Sequence, residues 1–288
     1  MKQFTVFVAA SLWILSFLAF VHERSAHHDD STGKMSVSEQ MVDEKCTLDG
    51  VTPDVIATGR SDITEWHGRF TFSYAPYLLE PSEPSEQIED FRDAVGERIG
   101  TDIDSRELTK RQHDFFVTLP DEWSRESANS ALLLDGHAGT ITDMSCLEMM
   151  LWEWQDARYP MLDHPTEFGA FVLRGDERVR IYLSSADLVG LKVNQEVTEQ
   201  VRIDILAGYR LITHIHNHPF LFDREVGDRM WTTEATIKEI AGGLAPSMSD
   251  VGFYRSFHDS HGLEEAWITN GLQSSRFTAT EFEMLTAR

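Results

Sequence analysis

The sequence has few cysteines and few basic residues, and each scarcity excludes a class of site or partner. Only Cys46 and Cys146 occur among 288 residues, and neither has a second cysteine nearby, which excludes a zinc site built on paired cysteines. The 25 lysines and arginines stand against 48 aspartates and glutamates, for a formal net charge of −23. Because so acidic a surface repels phosphate groups, we expect no nucleic-acid partner and no binding to anionic lipid.

The N-terminus carries an uncharged hydrophobic run, FTVFVAASLWILSFLAFV, at residues 4–21. Its length is typical of a secretory signal peptide or of a short, uncleaved membrane anchor, and residues 1–26 are predicted to be one of these. Lys2 precedes the run and acidic residues follow it, so the positive-inside rule places the rest of the chain outside the cytoplasm. We therefore expect an exported protein, periplasmic or secreted, in which the two cysteines could form one disulfide.

The next part of the chain divides by composition. Residues 27–45 are polar without a hydrophobic period, which predicts a linker. Residues 46–130 contain a strand-like stretch at 66–79 and helical segments at 87–99 and 104–119, but no catalytic pattern. They are predicted to form an N-terminal extension or subdomain, and the sequence assigns it no role.

Residues 131–288 alternate between helical and strand-like patterns. The predicted elements are a helix at 145–159 capped by Ser145, strands at 164–175 and 178–185, a helix at 194–209, a strand at 210–219, a helix capped by Ser247, and strand signals at 262–270 and 275–284. This order predicts an α/β or α+β fold with a mixed β-sheet flanked by helices.

Three histidines alternate in the sequence HIHNHP at residues 214–219. Residues two apart in a strand point to the same face, so His214, His216 and His218 share one side. Zinc takes nitrogen and carboxylate ligands, and a catalytic site needs three protein ligands plus an open position for water. Two of these histidines would supply two ligands, and His214, which sits deeper, is expected to be structural. The plain alternative is a surface strand with several histidines.

Two further segments extend this pattern. The sequence PSMSD follows at residues 246–250, and PTEFGAFVL precedes at 165–173. An upstream glutamate on a strand, then H-x-H-P, then S-x-x-D resembles the JAMM (MPN+) zinc metalloprotease family, over about residues 145–285. The resemblance implies that residues 131–288 form a JAMM/MPN-like core, which is similar to the cytidine-deaminase fold.

The resemblance also implies a role for each residue. His216, His218 and Asp250 would bind Zn²⁺. Glu167 would hydrogen-bond the zinc-bound water and act as general base, and Ser247 would donate a hydrogen bond to the tetrahedral intermediate. The chain is thus expected to be an exported zinc metallopeptidase that hydrolyses a peptide or isopeptide bond in a peptide or protein substrate.

The spacing departs from the family pattern at two points. The serine usually follows H-x-H-P closely, whereas here residues 220–245 intervene, either as an inserted loop or because the match is accidental. Asp223 and Asp228 lie nearer, but neither follows a serine at the right offset, and Asp250 is therefore preferred. The glycine after Glu167 also comes one residue earlier than in the commonest pattern.

Two other functions remain open from the sequence. One is a catalytically inactive MPN-type scaffold that binds a partner, although such members typically lose the metal ligands, for which this chain keeps candidates. The other is a zinc hydrolase of another class. A metallo-β-lactamase-like motif would need aspartate at position 218, where histidine stands, and an amidohydrolase barrel usually places its H-x-H near the first strand.

Overall fold

The structure, a computed structural model, describes most of the chain after the predicted linker. The described residues are 46, 52–58, 65–99, 104–120, 124–190, 194–221 and 242–287. The predicted signal or anchor segment, the linker, and the two aspartates at 223 and 228 lie outside them. Within these ranges, no helix is both long enough and apolar enough to cross a membrane.

The described residues form eight strands and seven α-helices. In chain order they are β1 Asp54–Thr58, β2 Glu65–Ser73, α1 Glu86–Ile99, α2 Ser105–Val117, α3 Ser127–Leu134, β3 Thr140–Thr142, α4 Cys146–Asp156, β4 Phe168–Arg174, β5 Arg178–Ala186, α5 Gln195–Leu206, β6 Arg210–Asn217, α6 Met248–His261, β7 Glu265–Thr269, β8 Ser274–Thr278 and α7 Ala279–Phe282. A 3₁₀ turn at Pro76–Leu78 follows β2.

The strands form one mixed sheet in the order β1-β2-β5-β4-β6-β7-β8-β3. Within the described sheet β6 and β7 pair in parallel, and the other neighbours are antiparallel. The predicted mixed α/β architecture is therefore confirmed. Strands β4 and β6 lie side by side with Gly169 opposite His216, which brings the segment after Pro165 next to the alternating histidines.

Helix starts follow the local chemistry that the sequence indicated. Ser145 caps α4 and Ser247 caps α6, each in a capping box with the acidic residue three positions later. Helix α6 ends where Gly262 adopts a left-handed φ of 70°, a conformation that glycine reaches without steric cost.

Two predicted strands differ from the structure, and one helix was not predicted. The strand expected over 275–284 is wrong in its second half, because Thr278 caps α7 with Glu281 and ends β8. The strand expected over 66–79 ends at Ser73. Residues 127–134 form helix α3, which their uneven apolar pattern did not predict.

Each face of the sheet carries its own hydrophobic core. Along β4, Ala170 and Val172 belong to one core, whereas Phe171 and Leu173 belong to the other. Trp66 of β2 joins the first of these cores, so the described part of the interval 46–130 packs into the same fold as the rest. A disulfide joins Cys46 to Cys146 at the first residue of α4, and thereby links positions 100 residues apart.

Candidate metal centre

Strand β6 presents its histidines on one face of the sheet. The ring centroids of His214 and His216 lie 5.6 Å apart, and those of His216 and His218 lie 5.0 Å apart. Ile215, between them, packs into the core on the opposite face. His218 follows the last residue of β6 and continues the alternation, as the period of two predicts.

The side chains of His216, His218 and Asp250 converge into a group that could hold a metal ion. The two Nε2 atoms lie 3.2 Å apart, and Asp250 Oδ2 lies 3.8 Å from Nε2 of His216 and 3.7 Å from Nε2 of His218. A point equidistant from these three atoms is about 2.1 Å from each, which matches bond lengths of about 2.0–2.2 Å for zinc to nitrogen or oxygen. The three donors therefore fit a small divalent cation with little movement.

Asp250 reaches the histidines because it lies in the first turn of α6. Its Oδ2 accepts a hydrogen bond from the Ser247 backbone N–H at 2.8 Å, and Ser247 Oγ accepts one from the Asp250 N–H at 3.1 Å. This capping box fixes the carboxylate at the helix N-terminus, where the macrodipole also stabilises its charge. The same oxygen that closes the box thus faces both imidazoles.

The other ring nitrogens of the two histidines orient the imidazoles. Nδ1 of His218 lies 2.8 Å from the Gly243 carbonyl oxygen, to which it donates, and this leaves the lone pair of Nε2 for a cation. Nδ1 of His216 lies 3.4 Å from the hydroxyl of Tyr254, a fully buried residue of α6. Both rings therefore turn Nε2 toward Asp250, the arrangement that metal-binding histidines commonly show.

The charges of the group favour a cation at this point. Burial, only partly offset by Asp250, lowers the pKa of His216 to about 4. Burial opposes ionisation of Asp250, but His216, His218 and Ser247 outweigh it and hold the pKa of its carboxyl below the usual range. Burial also opposes the charged form of His218, yet the nearby negative charge of Asp250 raises the pKa of this imidazole. Positive charge is therefore stabilised between His218 and Asp250.

Glu167 lies immediately before β4, the strand that pairs with β6. Because Gly169 pairs with His216 in antiparallel register, Glu167 takes the position opposite His218. The Glu167 charge is one of those that raise the pKa of His218. Glu167 Oε2 accepts a hydrogen bond of 2.6 Å from the Gly190 backbone N–H. The Glu167 charge therefore acts on one of the three candidate ligands, and the role of this carboxylate as base stays a prediction.

The hydroxyl of Ser247 caps α6 and also contacts a neighbouring hydroxyl. Ser247 Oγ lies 2.8 Å from Ser249 Oγ, and either atom can donate. When Ser249 donates, Ser247 accepts two hydrogen bonds and keeps its own hydrogen for a third partner. Donation of a hydrogen bond from Ser247 to a tetrahedral intermediate stays a prediction.

The segment between the histidines and Ser247 begins and ends at neighbouring points. Phe220 is fully buried, and a Cβ added to Gly242 would lie 2.5 Å from the Phe220 ring. The chain therefore returns to the site that it leaves after Pro219, and the long separation does not keep Asp250 from the histidines.

His214 lies beside the group without joining it. Its ring is 8% exposed and lies 5.0 Å from the ring of Phe171 and 4.7 Å from that of Phe253, measured between centroids. Burial lowers its pKa to about 3, so the ring is neutral at pH 7. These contacts agree with the structural role that its deeper position predicted.

Sequence reasoning missed three residues that support the site: Asn217, Gly243 and Tyr254. Asn217 had a signal, because a polar residue between two histidines falls on the opposite, buried face of the strand. Gly243 contributes through its carbonyl oxygen and Tyr254 lies in a different element, so neither had a sequence signal.

Comparisons of the chain with protein-family models, with curated proteins and with solved structures find no match.

Proposed function

We propose that the chain is a zinc-dependent metallopeptidase of the JAMM/MPN+ type that hydrolyses a peptide or isopeptide bond. The observation that carries this proposal is the triangle of two imidazole Nε2 atoms and the Asp250 carboxylate, with Glu167 immediately before the adjacent strand β4. Two histidines and one carboxylate are a ligand set of catalytic zinc sites, in which the fourth position remains open.

The chain's own residues divide the work of hydrolysis. His216, His218 and Asp250 would hold the ion, and bound zinc would supply Lewis-acid activation of water and of the scissile carbonyl. Glu167 takes a proton from the attacking water and passes it to the leaving amine. Ser247 donates a hydrogen bond to the oxygen on which negative charge develops.

The proposed place of action is outside the cytoplasm, in the periplasm or the extracellular space. Lys2 and the hydrophobic run at residues 4–21 support export, with cleavage or anchoring as the two forms. The disulfide between Cys46 and Cys146 supports it independently, since such bonds persist in oxidising compartments.

Metal content, measured by mass spectrometry on the purified full-length chain, tests the metal site. We expect one zinc ion per chain, lost in His216→Ala and in Asp250→Ala. His258→Ala is the matched control, because this histidine lies in the last turn of α6 and bonds the Leu263 carbonyl instead. A wild-type chain without zinc, or zinc that survives Asp250→Ala, would refute the ligand set.

Hydrolysis of a quenched fluorescent peptide library tests the reaction. Glu167→Gln is expected to keep zinc and lose hydrolysis, because the amide cannot take the proton.

A second candidate function is an inactive metal-binding scaffold, which is favoured by the involvement of the Ser247 hydroxyl in the helix cap. A wild-type chain that binds zinc and cleaves no peptide would support the scaffold over the peptidase.

A further inference from the structure

Asn217 lies between the two candidate histidine ligands, on the opposite face of the strand, and is completely buried. Its side-chain amide makes two hydrogen bonds to the backbone of the neighbouring segment. Oδ1 accepts from the Phe168 N–H at 2.7 Å, and Nδ2 donates to the Thr166 carbonyl oxygen at 2.9 Å. Both the donor and the acceptor of this amide therefore bind the backbone of one short segment, residues 166–168.

The two groups that Asn217 binds are the backbone groups on either side of Glu167. Regular pairing does not reach this point, because β6 ends at Asn217 and the His218 N–H donates to the Thr269 carbonyl of β7 at 2.8 Å. The asparagine amide thus takes the place of a peptide group and extends the contact between β4 and β6 by one position.

Glu167 is also held from the other side. Its own N–H donates to the Leu188 carbonyl oxygen at 2.8 Å, and its Oε2 accepts from Gly190. The backbone at Glu167 is therefore fixed on both edges, by the Asn217 side chain and by the segment that follows β5. The backbone at Glu167 therefore cannot shift relative to β6 without breaking the two buried hydrogen bonds to Asn217.

We propose that Asn217 is a positioning residue for Glu167: it locks the backbone on both sides of the base and so sets the distance between the carboxylate and the reacting water. This inference rests on the proposed function. Misplacement of a reacting group by about 1 Å costs on the order of 100-fold in rate. One residue of β6 therefore couples the ligand pair to the base on the next strand.

Asn217→Ala tests the proposal, because it removes both hydrogen bonds and leaves the histidines. We expect unchanged zinc content and an unchanged absorption spectrum of the cobalt-substituted protein, with kcat lowered about 100-fold and KM within about twofold. Asn217→Asp keeps the acceptor for Phe168 and loses the donor to Thr166. It should lower kcat about tenfold, and it carries the test if the alanine variant does not fold.

A double-mutant cycle separates positioning from general support of the fold. In a Glu167→Asp background the carboxylate is already displaced. Adding Asn217→Ala should therefore lower kcat by less than about threefold further. Tyr182→Phe is the control, since Tyr182 lies in β5 of the same sheet; the change removes its buried hydrogen bond of 2.6 Å to Asp204 of α5 and should leave kcat unchanged. Equal losses from Asn217→Ala in both backgrounds, or loss of zinc, would overturn the proposal.

Hydrogen exchange gives a readout that does not depend on activity. The Phe168 amide should exchange faster in Asn217→Ala, which loses its acceptor, while the β4 amides that pair with β5 keep their protection. Unchanged exchange at Phe168 would overturn the positioning role even in an active enzyme. If the wild-type chain binds zinc and shows no hydrolysis, the proposed function fails, and exchange at Phe168 alone decides whether Asn217 fixes Glu167.

Discussion

Replacement of Thr109 by valine should weaken zinc binding, although this residue of α2 touches none of the proposed ligands. Thr109 is fully buried, and its Oγ1 accepts a hydrogen bond of 3.1 Å from the Leu244 N–H and donates one of 2.8 Å to the Ser105 carbonyl. Leu244 follows Gly243, whose carbonyl oxygen orients His218. Valine has nearly the same shape and lacks the hydroxyl.

The structure sets the size of the expected losses of stability and of zinc affinity. A buried backbone N–H that loses its acceptor costs about 1–3 kcal/mol, which should appear as a loss of stability of the metal-free protein. Removal of a partner that orients a metal ligand typically costs 10–100-fold in affinity. Because the Gly243 carbonyl stays and only its anchor is lost, we expect the lower end, about tenfold weaker zinc binding.

Competition with a chromophoric chelator measures the zinc affinity, and urea unfolding of the metal-free chain measures stability. Thr118→Val is the matched control, since its hydroxyl donates to the Phe115 carbonyl at the exposed end of the same helix. If Thr109→Val lowers stability as expected but leaves zinc affinity unchanged, α2 does not support the site and the reasoning is refuted.

Three other predictions follow from separate features. Reduction of the Cys46–Cys146 disulfide should lower the free energy of unfolding by about 4–5 kcal/mol, the loop-entropy value for a separation of 100 residues; a change below about 1 kcal/mol in urea unfolding with and without reductant would contradict it. Burial lowers the pKa of His67 from 6.5, so the unfolded chain binds a proton that the folded chain resists. Stability should therefore fall below about pH 6.5 by up to ~1.4 kcal/mol per pH unit, and urea midpoints at pH 7.5 and 5.5 should show a shallower fall in His67→Gln. Gly190→Ala should keep zinc and slow hydrolysis, because Gly190 has a φ of 90° and its N–H holds Glu167; an alanine variant with wild-type kcat would speak against that role.

The parts of the site that the sequence predicts are those with a local cause. Alternation alone puts His216 and His218 on one face of β6, and a serine three residues before an acid predicts the cap that positions Asp250. These patterns need no knowledge of distant residues. The same local rules predicted the starts of α4 and α6 from Ser145 and Ser247.

The parts that the sequence could not predict depend on contacts between distant segments. Thr109 meets Leu244 across 135 residues, and no periodicity in α2 marks that contact. The sequence also does not predict that β2 pairs with β5, because the alternation within a strand does not identify its partner strand. Residues 46–130 therefore looked like an extension without a role. Their described part supplies β1, β2, α1 and α2, and α2 supports the backbone around His218.

The contact between Phe220 and Gly242 has a consequence for how this protein can vary. Because Phe220 and Gly242 are held together, lengthening the connection between them adds little closure cost, about 0.6 kcal/mol for each doubling of its length. Residues added between Leu221 and Gly242 are therefore expected to leave the candidate ligands in place. The fold thus separates the part of the chain that is free to diversify from the part that must keep its geometry.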